Sequence, residues 1–167
     1  MDIENPQERN VETNRTTARG PVRFPPPVVY IAGLLLGWGA ETIRPTPNLP
    51  RIAALIVFVL GLGLFALLDP AATARFKHAN TSFIPWKAST ALVTDGPYRF
   101  TRNPMYLGMA VLYAGIALGT GLLWALALLP IVLAVIQVAV IRREEAYLER
   151  LFGNPYRDYR AKVRRWI

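Results

Sequence analysis

Four apolar segments constrain the fold of this chain more than any other feature of its sequence. They lie at residues 28–43, 52–68, 105–118 and 122–141, and Glu41 is the one charged residue within them. A helix over the 17 residues of the second segment spans about 26 Å at a rise of ~1.5 Å per residue, close to the ~30 Å hydrocarbon core of a bilayer. A single segment of this kind is also typical of a buried helix in a soluble protein. Four together predict an all-α integral membrane protein with four transmembrane helices.

The short turn between the third and fourth segments predicts a tight C-terminal transmembrane hairpin. Only Gly119, Thr120 and Gly121 separate these two segments. The first and third segments each carry a G-x-x-x-G pair, which predicts close contact between helices, within the protein or between copies. The two pairs are Gly33 with Gly37 and Gly115 with Gly119.

The basic residues predict the orientation of these helices. Of the 19 Lys and Arg residues, 4 lie in the N-terminal tail, 5 in the loop after the second segment and 8 after the fourth segment. The other two, Arg44 and Arg51, lie in the first loop. Because cytoplasmic loops carry the excess of Lys and Arg, we predict a multi-pass membrane protein with both termini and the central loop in the cytoplasm.

Composition excludes several functional classes. The net charge is +8, but the apolar segments interrupt the basic residues, so the sequence predicts no nucleic-acid partner. The chain has no cysteine and one histidine, His78, which we expect in a loop, so neither a disulfide nor a metal site is predicted. Residues 1–27 are interpreted as a polar tail and residues 28–167 as one domain.

A first polar cluster, residues 92–108, lies around the start of the third segment. Its Asp-Gly-Pro sequence at residues 95–97 predicts a turn, and Asn103 with Pro104 predicts a helix start. The free N–H groups and the positive dipole end of such a start can receive an anion. Tyr106 adds a ring and a hydroxyl group. Taken singly, such residues are also ordinary anchors at a membrane interface.

A second polar cluster, residues 143–166, follows the fourth segment. Glu144 and Glu145 stand at the membrane edge, where acids are costly unless they are solvated or paired with a cation. A Gly-Asn-Pro sequence at residues 153–155 predicts a helix break and restart. A final cytoplasmic amphipathic helix is then predicted in the interface plane, with one face formed by Tyr156, Tyr159, Val163 and Trp166. Folded onto the central loop, this helix would roof a pocket.

The two clusters together resemble the signature of the isoprenylcysteine carboxyl methyltransferase family and of the related phospholipid methyltransferases. The family pattern runs L-V-T-x-G-x-Y-x-x-x-R-[HN]-P-x-Y-x-G, then a hydrophobic hairpin, then E-E-x-x-L-x-x-x-F-G-x-x-Y-x-x-Y. The first part is matched at Leu92, Val93, Thr94, Gly96, Tyr98, Arg102, Asn103, Pro104, Tyr106 and Gly108. The second part is matched at Glu144, Glu145, Leu148, Phe152, Gly153, Tyr156 and Tyr159. The resemblance covers residues 75–167, which would hold the cofactor-binding part.

This resemblance implies S-adenosyl-L-methionine as cofactor and a methyltransferase activity at the membrane. It implies cofactor contacts from Thr90, Ala91, Leu92, Val93, Tyr98, Arg102, Asn103, Pro104, Met105, Tyr106 and Glu144. The chemistry agrees with these positions, because Glu144 suits a cation, the helix start at Asn103 suits a carboxylate, and a tyrosine suits the adenine ring. An amine or thiol acceptor also has to lose a proton, and Glu145 or Tyr159 is the expected catalytic residue.

Two departures from the family pattern concern the acceptor. Asn103 replaces a histidine that many members carry, which excludes a histidine base there. Val140 stands where the eukaryotic isoprenylcysteine enzymes have an arginine that is assigned to the substrate carboxylate. The acceptor is therefore predicted only as a lipophilic or lipidated molecule, and phospholipid amines and small thiols remain open. A non-catalytic four-helix scaffold is the other alternative, while coupled transport is disfavoured because the spans contain no buried acid.

Overall fold

The computed structural model describes residues 22, 24–84 and 87–167, so most of the predicted polar tail lies outside the described residues. The described residues form helices and loops and contain no strand. The helices are α1 (Pro27–Ile43), α2 (Arg51–His78), α3 (Pro104–Gly119), α4 (Leu123–Ile136), α5 (Arg142–Phe152) and α6 (Asn154–Lys162), with a short 3₁₀ helix at Gly96–Arg99. The predicted all-α fold is confirmed.

Two of the helices formed by the described residues are long and apolar enough to cross a membrane. One is α2, with 28 residues, and the other is the continuous 30-residue helix Leu123–Phe152, in which a π-helical turn (Gln137–Ile141) joins α4 to α5. The helices α1 and α3 are apolar but shorter. Only 6% of the most apolar stretch of α2 is buried, whereas a core helix of a soluble protein is mostly buried. Large apolar side chains instead cover its outer face, as expected for a helix in contact with lipid.

Glycines bring the helices into close contact in two pairs. Gly61 of α2 faces Gly115 of α3, where a Cβ atom added to Gly61 would lie 2.9 Å from the Cα atom of Gly115. Gly37 of α1 packs against the backbone of Ala125 in α4, with no room for a side chain. Together with Gly33, which faces Val132 and Tyr113, these contacts show that the predicted G-x-x-x-G pairs are used within the protein.

Two boundaries differ from the sequence prediction. We expected His78 in a loop, but α2 continues past Pro70 and ends at His78. The added turns contain good helix formers, and three basic residues in the last turn stabilise the negative end of the helix dipole. The final helix is shorter than expected, because α6 ends at Lys162 and Val163 is extended. Trp166 therefore does not continue the predicted helical face.

At the hairpin end of the bundle, polar groups of three segments bind one another. Glu41 accepts hydrogen bonds from the N–H and hydroxyl groups of Thr46 and, at 3.4 Å, from the N–H group of Trp124 in the first turn of α4. The indole N–H of Trp124 donates to the carbonyl oxygen of Arg44 at 2.8 Å. We call these four residues the hairpin-end cluster. It connects α1, the first loop and α4.

Candidate active site

A cavity of about 380 Å³ lies at the opposite end of the bundle, where α3 begins and α4 passes into α5. Its volume is in the range of ~300–1,000 Å³ that is usual for ligand pockets. Residues of α2, the central loop, the start of α3, α5 and α6 line it. The predicted site residues among them are Ala91, Leu92, Val93, Tyr98, Arg102, Asn103, Met105, Tyr106, Glu144, Glu145 and Tyr159.

Two predicted cofactor-binding residues do not line the cavity. The N–H group of Thr90 donates to the hydroxyl oxygen of Thr81 at 2.8 Å, and its own hydroxyl group donates to the carbonyl oxygen of Asn80 at 3.1 Å. Pro104 is the fully buried first residue of α3. Thr90 therefore fixes the central loop, and Pro104 sets the direction in which α3 begins.

Tyr106 connects three helices at the cavity wall. It is buried in the first turn of α3, and its hydroxyl group donates to Oε1 of Glu144 at 2.8 Å. The carbonyl oxygen of Tyr106 accepts a hydrogen bond from the hydroxyl group of Tyr30 in α1, at 3.0 Å. Hydrogen bonds thus hold both the backbone and the hydroxyl group of Tyr106, and the hydroxyl group orients the carboxylate of Glu144 toward the cavity.

Glu144 lies beyond the apolar part of the long helix, which ends at Ile141. Burial raises the pKa of Glu144 to about 7; the hydrogen bond from Tyr106 acts in the opposite direction, and the charge of Glu145 adds a smaller rise. Because burial disfavours the charged form, this carboxyl group is close to half-ionised at neutral pH. A cation in the cavity would therefore stabilise the ionised form.

Glu145 is paired with two arginines. Arg165 donates from Nε to Oε1 at 2.9 Å and from Nη2 to Oε2 at 2.6 Å, and Nη1 of Arg102 lies 3.1 Å from Oε1. A two-point contact of this kind is the strongest form of a charge-assisted hydrogen bond. The carboxylate is 9% exposed and has little capacity left for a substrate proton. The geometry thus favours a positioning role for Glu145 over the predicted catalytic one.

Arg102 has donors that remain unused. Its side chain is 10% exposed, and among the described residues its Nε and Nη1 atoms have no hydrogen-bond partner. The approach of Nη1 to Glu145 is an ionic contact with poor hydrogen-bond geometry. Because a buried donor without an acceptor costs ~1–3 kcal/mol, such atoms beside a cavity indicate a place for an anion.

The helix α6 closes one side of the cavity, as the sequence predicted for its roof. The hydroxyl group of Tyr159 donates to the carbonyl oxygen of Tyr98 at 2.8 Å, and the buried Tyr98 ring packs edge-on against Phe76 at 5.5 Å. Burial raises the pKa of Tyr159 above its ordinary value, so the phenolate form of this predicted catalytic residue is not populated near neutral pH. Tyr159 thus connects α6 to the central loop.

The wall formed by α2 was missed by the sequence analysis. Phe65, Asp69 and Phe76 line the cavity from this helix, with the fully buried Ala72 between the last two. Asp69 directly follows the second apolar segment. The prediction of spans without a buried acid therefore did not consider this acid at the end of a span. The available signal was the helical spacing of these four residues, which gives them one common face.

Fold and cavity together define a protein whose described residues form an all-helical fold, with two helices able to cross a membrane and, at one end, a mainly apolar cavity that contains acidic and basic side chains. The sequence profile of the phospholipid methyltransferase family matches residues 49–155, a range that contains α2 to α5. The chain belongs to this family.

Three relatives match shorter parts of the chain. Protein-S-isoprenylcysteine O-methyltransferase of Schizosaccharomyces pombe is 39% identical over 72 residues, which are 43% of this chain and 30% of the relative. An uncharacterized protein of Haemophilus influenzae is 42% identical over 65 residues, 38% of this chain and 100% of the relative. The nickel-cobalt-cadmium resistance protein NccN of Alcaligenes xylosoxydans xylosoxydans is 37% identical over 81 residues, 48% of this chain and 38% of the relative. The chain thus spans about a third of the length of the fission yeast relative and of NccN.

Proposed function

We propose that this chain is an S-adenosyl-L-methionine-dependent methyltransferase that acts at the membrane on a lipophilic acceptor. One observation carries the proposal: a single cavity contains both Arg102, whose buried Nε atom has no hydrogen-bond partner among the described residues, and Glu144, a carboxyl group of raised pKa. The cofactor offers the complementary groups, which are a carboxylate, an ammonium group and a sulfonium. The family membership and the name of the fission yeast relative support the same activity.

The residues of the cavity fit this cofactor. The unused donors of Arg102 suit the carboxylate, and so do the N–H groups in the first turn of α3, which the side chain of the N-cap Asn103 does not bond. The ionised form of Glu144 suits a cationic centre, and Tyr98 and Tyr106 offer aromatic faces to a purine ring. The remaining predicted contacts, at Ala91, Leu92, Val93 and Met105, supply apolar lining.

The bound cofactor supplies a methyl group that is already activated on a sulfonium. The protein therefore needs mainly to align acceptor and donor, which is a large part of catalysis in reactions between two molecules. Tyr106 holds Glu144 in one orientation, and α6 with Tyr159 covers the cavity against water. With Glu145 paired, the proton of an amine or thiol acceptor goes to Glu144 or to solvent.

The acceptor is not an isoprenylcysteine carboxylate in this proposal. Val140 replaces the arginine of the eukaryotic enzymes, is fully buried in the core and does not line the cavity. A phospholipid amine or a small thiol fits the loss of this arginine. We further propose four membrane crossings with the cavity on the cytoplasmic side, supported by the basic residues that surround the cavity end.

Titration of the detergent-solubilised protein with S-adenosyl-L-methionine tests the proposal. Glu144→Gln is expected to weaken cofactor binding about tenfold or more, because a hydrogen bond to a charged group contributes ~1.5–3 kcal/mol. The matched control is Glu149→Gln on the same helix, where the carboxylate pairs with Arg157 and Arg160 outside the cavity. Absence of binding by the wild-type protein, or equal affinity of the two variants, would overturn the proposal.

Transfer of a labelled methyl group to a membrane lipid extract distinguishes an enzyme from a scaffold. Labelled product in the amine-lipid fraction or on an added thiol identifies the acceptor class. A protein that binds the cofactor but labels no fraction would support the scaffold instead.

A further inference from the structure

The segment after α6 runs back over the start of α3. Val163, directly after α6, is extended, and the carbonyl oxygen of Arg164 accepts a hydrogen bond from the N–H group of Arg102 at 3.0 Å. The carbonyl oxygen of Arg165 accepts two more, from the hydroxyl group of Thr101 at 3.1 Å and from Nδ2 of Asn103 at 2.9 Å. We call residues 163–166 the strap. Its backbone is bonded to the three residues that precede α3.

The side chains of the strap bind a second and a third element. Arg165 holds the carboxylate of Glu145 on α5 with two hydrogen bonds. The indole N–H of Trp166 donates to Oε1 of Gln137, the first residue of the π-helical turn, at 2.9 Å. Such turns contain one extra residue and are frequent at functional sites. The strap therefore joins the start of α3 to Gln137 at the beginning of the π-helical turn and to Glu145 in the first turn of α5.

We infer that the strap is a positioning element of the cofactor site, in which Arg165 neutralises Glu145 and thereby leaves Glu144 as the carboxylate that serves the bound cation. This inference rests on the proposed function and deepens it. The family pattern given above ends at Tyr159, before Arg165. Arg165 does not line the cavity, so it acts through Glu145.

The electrostatic reason is that Glu144 and Glu145 are neighbours in sequence, so the charge of Glu145 affects the ionisation of Glu144. An uncompensated charge on Glu145 disfavours ionisation of Glu144, since like charges at short distance raise the pKa of a carboxyl group. Arg165 and Arg102 compensate this charge from two sides. The other titratable groups around the cavity are Asp69 from α2, Lys87, Tyr98 and Tyr106 from the central loop and α3, Tyr147 from α5, and Tyr156 and Tyr159 from α6.

The test measures the dissociation constant of S-adenosyl-L-methionine against pH. Arg165→Ala is expected to move the midpoint of this profile upward by about one unit, and to weaken binding up to about tenfold at neutral pH. Arg165→Lys keeps the charge and should recover part of the shift. In the double variant Arg165→Ala with Glu145→Gln the charge of Glu145 is removed as well, and Arg102 keeps its positive charge, so the midpoint should return to that of the wild type or fall below it. The matched control is Lys162→Ala, an exposed base at the end of α6.

A merely structural strap gives a different result. In that case Arg165→Ala lowers the unfolding temperature but leaves the midpoint unchanged, which overturns the inference while the proposed function stands. If Arg165→Ala does not fold, the same comparison is made between Arg165→Lys and the double variant. Absence of cofactor binding by the wild-type protein would instead overturn both proposals.

Discussion

Both ends of the helix bundle contain a glutamate with polar neighbours, but the two ends differ in how many of their polar atoms have a hydrogen-bond partner. At the hairpin end, Glu41 accepts hydrogen bonds from Thr46 and Trp124. At the other end, Glu144 accepts one hydrogen bond, from Tyr106, and the buried Nε atom of Arg102 has no acceptor among the described residues. An acid whose bonds are completed by the protein contributes to stability. An acid beside unmatched donors and open space is available to a ligand.

Substitution of a glycine in the contact between α1 and α4 should have the largest effect on stability and no effect on cofactor binding. Gly37→Val forces a side chain into the backbone of Ala125, and overpacking of this kind costs ~1–3 kcal/mol or more. Gly39→Val is the control, because nothing lies within 4 Å of a Cβ atom at that position. Unfolding of both variants in detergent measures the difference. Equal stabilities would contradict the close contact of α1 with α4.

The hairpin-end cluster should give the next largest effect. Glu41→Gln removes the charge that accepts hydrogen bonds from Thr46 and from the first turn of α4, and we expect a loss of unfolding free energy that is smaller than the loss in Gly37→Val. Asp158→Asn, an exposed acid on α6, is the control. The dissociation constant of the cofactor should stay unchanged in both variants. A loss of cofactor binding in Glu41→Gln would contradict the expectation that the hairpin end contributes to stability and not to cofactor binding.

The sequence predicted the helices and part of the cavity lining because both depend on local signals. Apolar segments define α1 to α4, and Pro104 and Gly153 define helix boundaries that the structure confirms. The site residues cluster because the motifs stand at the same end of the α3–α4 hairpin, and the two helices of a tight hairpin are antiparallel. No information on distant packing is needed for either result.

Contacts between distant segments could not be predicted in the same way. The wall formed by α2 depends on how this helix packs along α3, which a single sequence does not specify. The pairing of Arg165 with Glu145 spans 20 residues and depends on α6 ending at Lys162 rather than continuing. The sequence therefore predicts Glu145 as a catalytic residue from the chemistry of the acceptor, and it contains no signal for the two arginines that pair with this carboxylate.

Titration of Glu144 should give the smallest and most specific effect, at the cavity end. Burial raises its pKa from 4.5 to about 7, so the carboxyl group is neutral on the acid side and ionised on the alkaline side of that value. Cofactor affinity should therefore rise as the pH increases through about 7, by up to about tenfold per unit below the midpoint. The same shift lowers folding stability as the pH rises from about 4.5 to about 7, because the folded state binds the proton more tightly.

Tyr106→Phe sharpens this prediction. The variant removes the hydroxyl group that donates to Glu144 at 2.8 Å, and the ionised form loses a stabilising hydrogen bond, so the midpoint should move upward by up to about one unit. Tyr30→Phe is the matched control, since its hydroxyl group donates to the carbonyl oxygen of Tyr106 and not to Glu144. The midpoint should be unchanged in the control and absent in Glu144→Gln. If Tyr106→Phe and Tyr30→Phe shift the midpoint equally, Tyr106 affects the cavity through packing and not through its bond to the acid.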